Sequence, residues 1–262
     1  MICGRDGVIK KHFLPDNLGS INIFIYVCSM ELKKTNFDPM KELFKFLKEL
    51  RENNNREWFK ANKKRYDVLY QEYIEVVKRL IDRIALFDPE IAELDAKSCI
   101  YRIYRDIRFS NDKTPYKTHF GAYMTGVGGR TSPYGGYYLH IDPSASFVSG
   151  GVWCPEPKML KQLRKDIYHN IEEFTAILEN EKFKQTFGEL EGETLQRMPD
   201  GFPKDCPYDY ILKKKSFVVS TEKPEAFFYT ENWMDEVVEE FKMLYPFNRF
   251  LNYTVGEFLG KK

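Results

Sequence analysis

The chain has 262 residues, with 43% hydrophobic and 30% charged side chains, a composition that supports a packed core and excludes a disordered protein. Forty Lys and Arg against 39 Asp and Glu give a net charge of +1, so bulk charge gives no argument for a nucleic-acid or acidic-membrane partner. Aromatic residues reach 16%, which predicts a core and clefts built from large rings, many with a hydroxyl that needs a partner.

Residues 1–29 hold one apolar run, Ile21–Cys28, too short for the ~20 residues that span a bilayer and without a small-residue cleavage site after it. They are expected to be a non-native extension or disordered arm before a start at Met30, the alternatives being an extra edge strand or a degenerate export signal. Residues 30–262 then form one domain. Asp38-Pro39 opens a helix that carries Met40, Leu43, Phe44, Leu47 and Leu50 to about Glu52. Asn53-Asn54-Asn55 breaks it. A longer helix is expected from Arg56, with a stripe from Trp58 to Ile84, closed by Phe87-Asp88-Pro89.

Strand signals follow. Cys99–Arg105 alternates, and 119–125, 137–142 and 147–153 repeat that period. Gly126, Gly128, Gly129, Gly135 and Gly136 form a long hairpin loop, and Gly150-Gly151 marks a bulge or a close backbone approach. Two helices are expected after Pro157, a loop-rich stretch over 188–212, a strand at Ser216–Ser220, and a last helix with Trp233, Val237, Phe241 and Leu244 that stops before Pro246. The fold class is α+β: a single domain with a largely antiparallel sheet flanked by N-terminal and C-terminal helices.

The segment that carries chemistry is Arg102–Lys117. Arg102, Arg105, Arg108, Lys113 and Lys117 face only Asp106 and Asp112, a surplus of three cations in sixteen residues. Guanidinium forks match carboxylate and phosphate oxygens bidentately. Tyr101, Tyr104 and Tyr116 add hydroxyl donors, and His119 follows. A pocket for an anionic small molecule, a phosphate or carboxylate compound, is expected around Arg102, Arg105, Arg108, Ser110, Lys113 and Lys117. A salt-bridge lattice built on Asp106 and Asp112 is the competing structural use of the same residues. If the ligand is turned over, the arginines stabilise charge and Asp106, Tyr116 or His119 moves the proton. The alternative is a non-catalytic module that docks nucleic acid, with the tyrosines stacking on bases, or an acidic protein.

The run R-x-x-R-D-x-R-F-S-x-D-K-x-P-Y-K, with N-N-N-R-E-W-F at Asn53–Phe59, resembles a widespread, mainly bacterial family of conserved hypothetical proteins. Gly150-Gly151, Pro199-Asp200-Gly201-Phe202 and Pro246-Phe247-Asn248 fit it too, so the resemblance spans about Phe37 to Leu251. It implies a shared fold and site for a domain of unknown function, and no reaction.

No cofactor is expected. His119, His140 and Asp142 come together only if the strands at 119–125 and 137–142 pair around the glycine loop, and ordinary strand histidines are the expectation, with no essential metal. Tyr104-Arg105-Asp106 mimics a kinase catalytic loop but lacks its glycine-rich loop, strand lysine and Asp-Phe-Gly. Five scattered cysteines without Cys-x-x-Cys fit a reducing compartment, the cytoplasm, and no membrane partner is expected. The oligomeric state is left open by the sequence.

Overall fold

Helix α1, Pro39–Glu52, turns Met40, Leu43, Phe44, Phe46, Leu47 and Leu50 into the core, the i, i+3, i+4 pattern read from the sequence. The computed structural model describes residues 38–126 and 128–260; the expectations for residues 1–29 lie outside the described residues. After α1 the asparagines act one by one. Asn53 bonds back to the Glu49 carbonyl through its side-chain amide at 2.9 Å, and the Asn55 side-chain Oδ1 accepts from the Trp58 N–H at 2.9 Å, capping the next helix. The expected single long helix is two: α2, Arg56–Ala61, and α3, Lys63–Ile84. They divide at Asn62, whose side-chain amide competes for the Trp58 carbonyl at 3.0 Å and holds the residue at φ −99°, ψ 9°.

The expected strand over Cys99–Arg105 is corrected. Asp95 accepts from the Ser98 N–H at 2.9 Å and starts a one-turn helix, α4, Ala96–Cys99. Beyond it the backbone pairs through isolated bridges, Ile100 to Ala122 and Tyr104 to Tyr116, rather than a continuous ladder. Burial falls on Cys99, Ile100 and Ile103, which is not a two-residue period, and Pro115 opposite has no N–H to continue a ladder.

Four strands form one antiparallel meander in the order β1-β2-β3-β4: Phe120–Met124, Gly136–Ile141, Ser146–Val152 and Phe217–Lys223. The register pairs Ala122 with Leu139 and Leu139 with Val148, so these side chains share one face. Helix α9, Trp233–Phe258, covers that face, with Phe241, Leu244, Phe247, Leu251 and Val255 fully buried. Its approach is close: a Cβ at Gly150 would lie 2.8 Å from the Leu244 Cδ1, which is the close backbone approach expected there. The helix does not stop before Pro246 as expected. It keeps its course because Phe247, Leu251 and Val255 beyond the proline are all buried against the core, which outweighs one missing hydrogen bond. Helices α5, Pro157–His169, α6, Ile171–Leu178, α7, Glu181–Phe187, and α8, Asp209–Leu212, fill the chain between β3 and β4. Among the described residues no helix is long and apolar enough to cross a membrane.

The opposite face of the sheet carries different side chains. Gly121, His140 and Phe147 occupy one row across it, and Tyr123, Tyr138 and Ser149 the next. These larger side chains are half-buried rather than sealed.

Candidate functional site

The two sequence segments that carry the family resemblance meet in space. The Asn54 side-chain amide donates to the Tyr116 carbonyl at 2.9 Å, and its oxygen accepts from the Tyr116 N–H at 3.1 Å. The Phe59 ring stacks on Tyr116 with centroids 4.0 Å apart. The loop between α1 and α2, with the start of α2, therefore clamps the chain just before β1 through aromatic stacking and a pair of side-chain-to-backbone hydrogen bonds. This places the end of α1 against residues 114–119.

Between these pieces lies a recess of about 380 Å³ bordered by Arg51, Asn54, Arg105, Lys117, Thr118 and His119. Arg51 comes from the last turn of α1. Its guanidinium donates to the Asp142 Oδ1 at 2.7 Å and reaches Thr118 and Ser144. Arg105 pairs with Asp112, which also borders the recess, and with the carbonyl and hydroxyl of Thr114. Lys117 has no carboxylate partner among the described residues; its ammonium sits 5.2 Å over the Tyr101 ring. Burial, with Arg102 and Arg130 nearby, pulls its pKa below the ordinary lysine value.

The expected residues are thus distributed over two places. Arg105, Lys117, Tyr116 and His119 border the recess. Arg102 is exposed, and Arg108 is exposed on the loop, closed on Asp106 by two bonds of 3.0 and 2.7 Å. Lys113 donates to the Ile107 carbonyl at 3.0 Å, and Ser110 is half-buried on the same loop. The structure gives Arg105 and Arg108 no common partner. Bonds from Arg108 hold the Asp106 carboxyl at about 2, and the Thr114 N–H and Arg105 hold Asp112 at about 2. Arg51, Asn54 and Thr118 are recess residues that sequence reasoning did not single out. The signal for Asn54 was present, since it lies in the Asn53–Phe59 segment; Arg51 gave none beyond closing a helix.

Beside the recess the strand register brings a second group together. One step beyond the Phe120–Ile141 pair, His119 stands opposite Asp142, and His140 lies on the same face of β2. Ligand atoms of His119, His140 and Asp142 all lie within 4.8 Å of one another. The imidazole rings of His119 and His140 are 4.4 Å apart, and His140 stacks on Phe147 at 4.6 Å. The His140 Nδ1 bonds the Tyr138 hydroxyl at 2.8 Å. Burial, His140 and Lys117 lower His119 to about 4, and burial lowers His140, so both rings are neutral at pH 7. Burial alone would raise Asp142. The Ser144 N–H, Arg51 and His140 outweigh it, and the carboxylate stays ionised. Of the three expected proton carriers, His119 has its lone pair available at neutral pH. Tyr116 is buried and its phenol is raised by burial, and Asp106 stands on the exposed loop.

An α+β domain with one sheet face sealed by helices, and with two neutral imidazoles on the other at the edge of a basic recess, is what fold and site define together. The chain belongs to the conserved hypothetical protein family DUF2461, which matches residues 42–250. That match contains Arg51, the whole Arg102–Lys117 segment and the His119, His140, Asp142 group. No curated protein and no solved structure matches the chain.

Proposed function

We propose that the recess binds a small anion, a phosphate or carboxylate compound, with Lys117, Arg105 and Arg51 as the cationic contacts. The observation that carries this reading is Lys117: a half-buried ammonium in a field of arginines, with no carboxylate beside it among the described residues. An ammonium in that setting is destabilised until an anion arrives, so the free energy of binding includes relief of an existing repulsion. Concave shape supports a small ligand over a docking ridge, because a nucleic-acid backbone is tracked by a groove or stripe of cations rather than by one recess. The amide of Asn54 and the hydroxyl of Thr118 complete a polar wall that can share the remaining oxygens.

The test is a thermal-shift and calorimetric series with sulfate, inorganic phosphate, pyrophosphate, citrate and a single-stranded oligonucleotide. A small anion at 100 times its Kd stabilises the fold by ~2.7 kcal/mol. Lys117→Met is expected to remove that shift while leaving the melting temperature of the free protein unchanged or higher. No shift with any small anion, or oligonucleotide binding that survives Lys117→Met, overturns the proposal.

A further inference from the structure

We infer that His119, His140 and Asp142 form a binding site for one divalent first-row transition-metal ion on the open face of the sheet, at the edge of the recess. The donor set decides the class. Two imidazole nitrogens and one carboxylate oxygen suit zinc, iron or cobalt rather than magnesium or calcium, which take oxygen ligands. Three protein ligands also leave coordination positions for water or a ligand oxygen, as in metal sites that take part in chemistry and unlike closed structural ones.

Three features of the surroundings point the same way. The donors come from rigid elements: His140 is inside β2, and His119 and Asp142 flank the β1–β2 pair. Ligand atoms within 4.8 Å of one another must draw in to about 3–3.5 Å for bonds of ~2.1 Å, a distance on the scale of side-chain torsional adjustment. The outer contacts are also those of a prepared site. The His140 Nδ1 bonds the Tyr138 hydroxyl at 2.8 Å; with the proton on Nδ1 and the hydroxyl accepting it, the Nε2 lone pair is the one that would take a metal. Arg51 and the Ser144 N–H hold the Asp142 Oδ1, each at 2.7 Å, leaving its second oxygen. Gly121 has a place in this arrangement. It is opposite His140 in the register, and a Cβ there would come within 2.6 Å of the Tyr138 hydroxyl oxygen. Only glycine lets that hydroxyl lie across β1 and orient the imidazole.

His119 belongs to both groups, since it borders the recess and faces His140. An anion held by Lys117 would therefore stand next to the metal. This last link rests on the anion reading; the metal site itself does not.

The experiment uses the full chain without a histidine tag, stripped with a chelator and dialysed. Zn²⁺ is titrated against a chromophoric competitor, and Co²⁺ is followed by its visible d–d absorption. One equivalent of each is expected, with His119→Gln and His140→Ala each weakening Zn²⁺ at least a hundredfold while circular dichroism is unchanged. His119→Gln carries the result if His140→Ala disturbs the stack on Phe147. Sub-stoichiometric binding, or stoichiometric binding that survives both substitutions, overturns the site. Lys117→Met separates the two proposals: it is expected to keep Zn²⁺ and lose sulfate, whereas a failed anion reading leaves Zn²⁺ binding and its histidine dependence intact.

Discussion

Tyr137 and Tyr138 are neighbours in sequence and sit on opposite faces of one sheet. Tyr137 is sealed under α9, beside Phe241, and donates its hydroxyl to Asp88 at 2.9 Å. Tyr138 is half-buried on the open face, and its hydroxyl meets the His140 Nδ1 at 2.8 Å. Both phenols find a partner, as most buried hydroxyls do. On the sealed face the partner only satisfies the hydroxyl. On the open face the partner is an imidazole near a recess, and the hydroxyl bond at Nδ1 fixes the orientation of that ring. The sheet thus divides by parity: one set of alternate residues is sealed in the core, and the other lies on the open face where the proposed sites stand.

The largest expected effect tests that division directly. Phe241→Ala empties a fully buried site and should cost about 3–5 kcal/mol, lowering the melting temperature by about 10 °C. Phe147→Ala on the open face should cost less, about 1–2 kcal/mol, because that ring is only partly sealed and packs on His140 and Tyr138 at the sheet surface. Equal losses in the two melts would dissolve the distinction between the faces.

A pair of glycines gives the next effect. Gly150→Ala presses a methyl group into Leu244 on α9 and the Gly136 carbonyl, and should destabilise by about 1–3 kcal/mol. Gly121→Ala meets only the far end of Tyr138, so the melt should move by less than about 1 kcal/mol while zinc affinity falls. If Gly121→Ala instead matches Gly150→Ala in stability, the open face is as tightly packed as the sealed one.

The smallest effect concerns pH. Burial raises the Asp88 carboxyl above its usual range, against the pull of the Tyr137 hydroxyl, the Glu90 N–H and Arg249. A carboxyl with a raised native pKa favours the folded state below its ordinary value of 3.8 and loses that contribution as pH rises through the raised value. Asp88→Asn keeps an oxygen for Tyr137 and removes the charge. It should melt slightly higher than the unmodified protein at pH 7, and the difference should shrink as the pH is lowered toward 3.8. A difference that widens in acid would show that the carboxylate is stabilising.

Much of the fold was legible in the sequence because it is written in local periods. The α1 boundary at Glu52, the strands on either side of the glycine loop and the pairing of His119 with Asp142 follow from alternation and turn chemistry. The same local reading failed where a long-range contact outvotes it. A proline does not end a helix when buried residues lie beyond it, as Phe247 and Leu251 do after Pro246. Alternation over Cys99–Arg105 arises from the mixture of Tyr and Arg, whereas burial there follows Ile100 and Ile103. In the site, a surplus of arginines is visible in the sequence but their aim is not. Arg105 and Arg108 turn to Asp112 and Asp106, each close by in the chain, and Arg51 arrives from a helix far upstream.

Helix α9 also bears on how the protein is made. It is the last element of the described chain to be synthesised, yet it covers the apolar face of a sheet whose first three strands end at Val152. At ~5–20 residues per second, the roughly one hundred residues between Val152 and Phe258 take about 5–20 s to emerge. For that interval the part of the meander bearing Leu139 and Val148 lacks the helix that seals it in the finished fold, so the cover of this face is set by the order of synthesis as well as by packing.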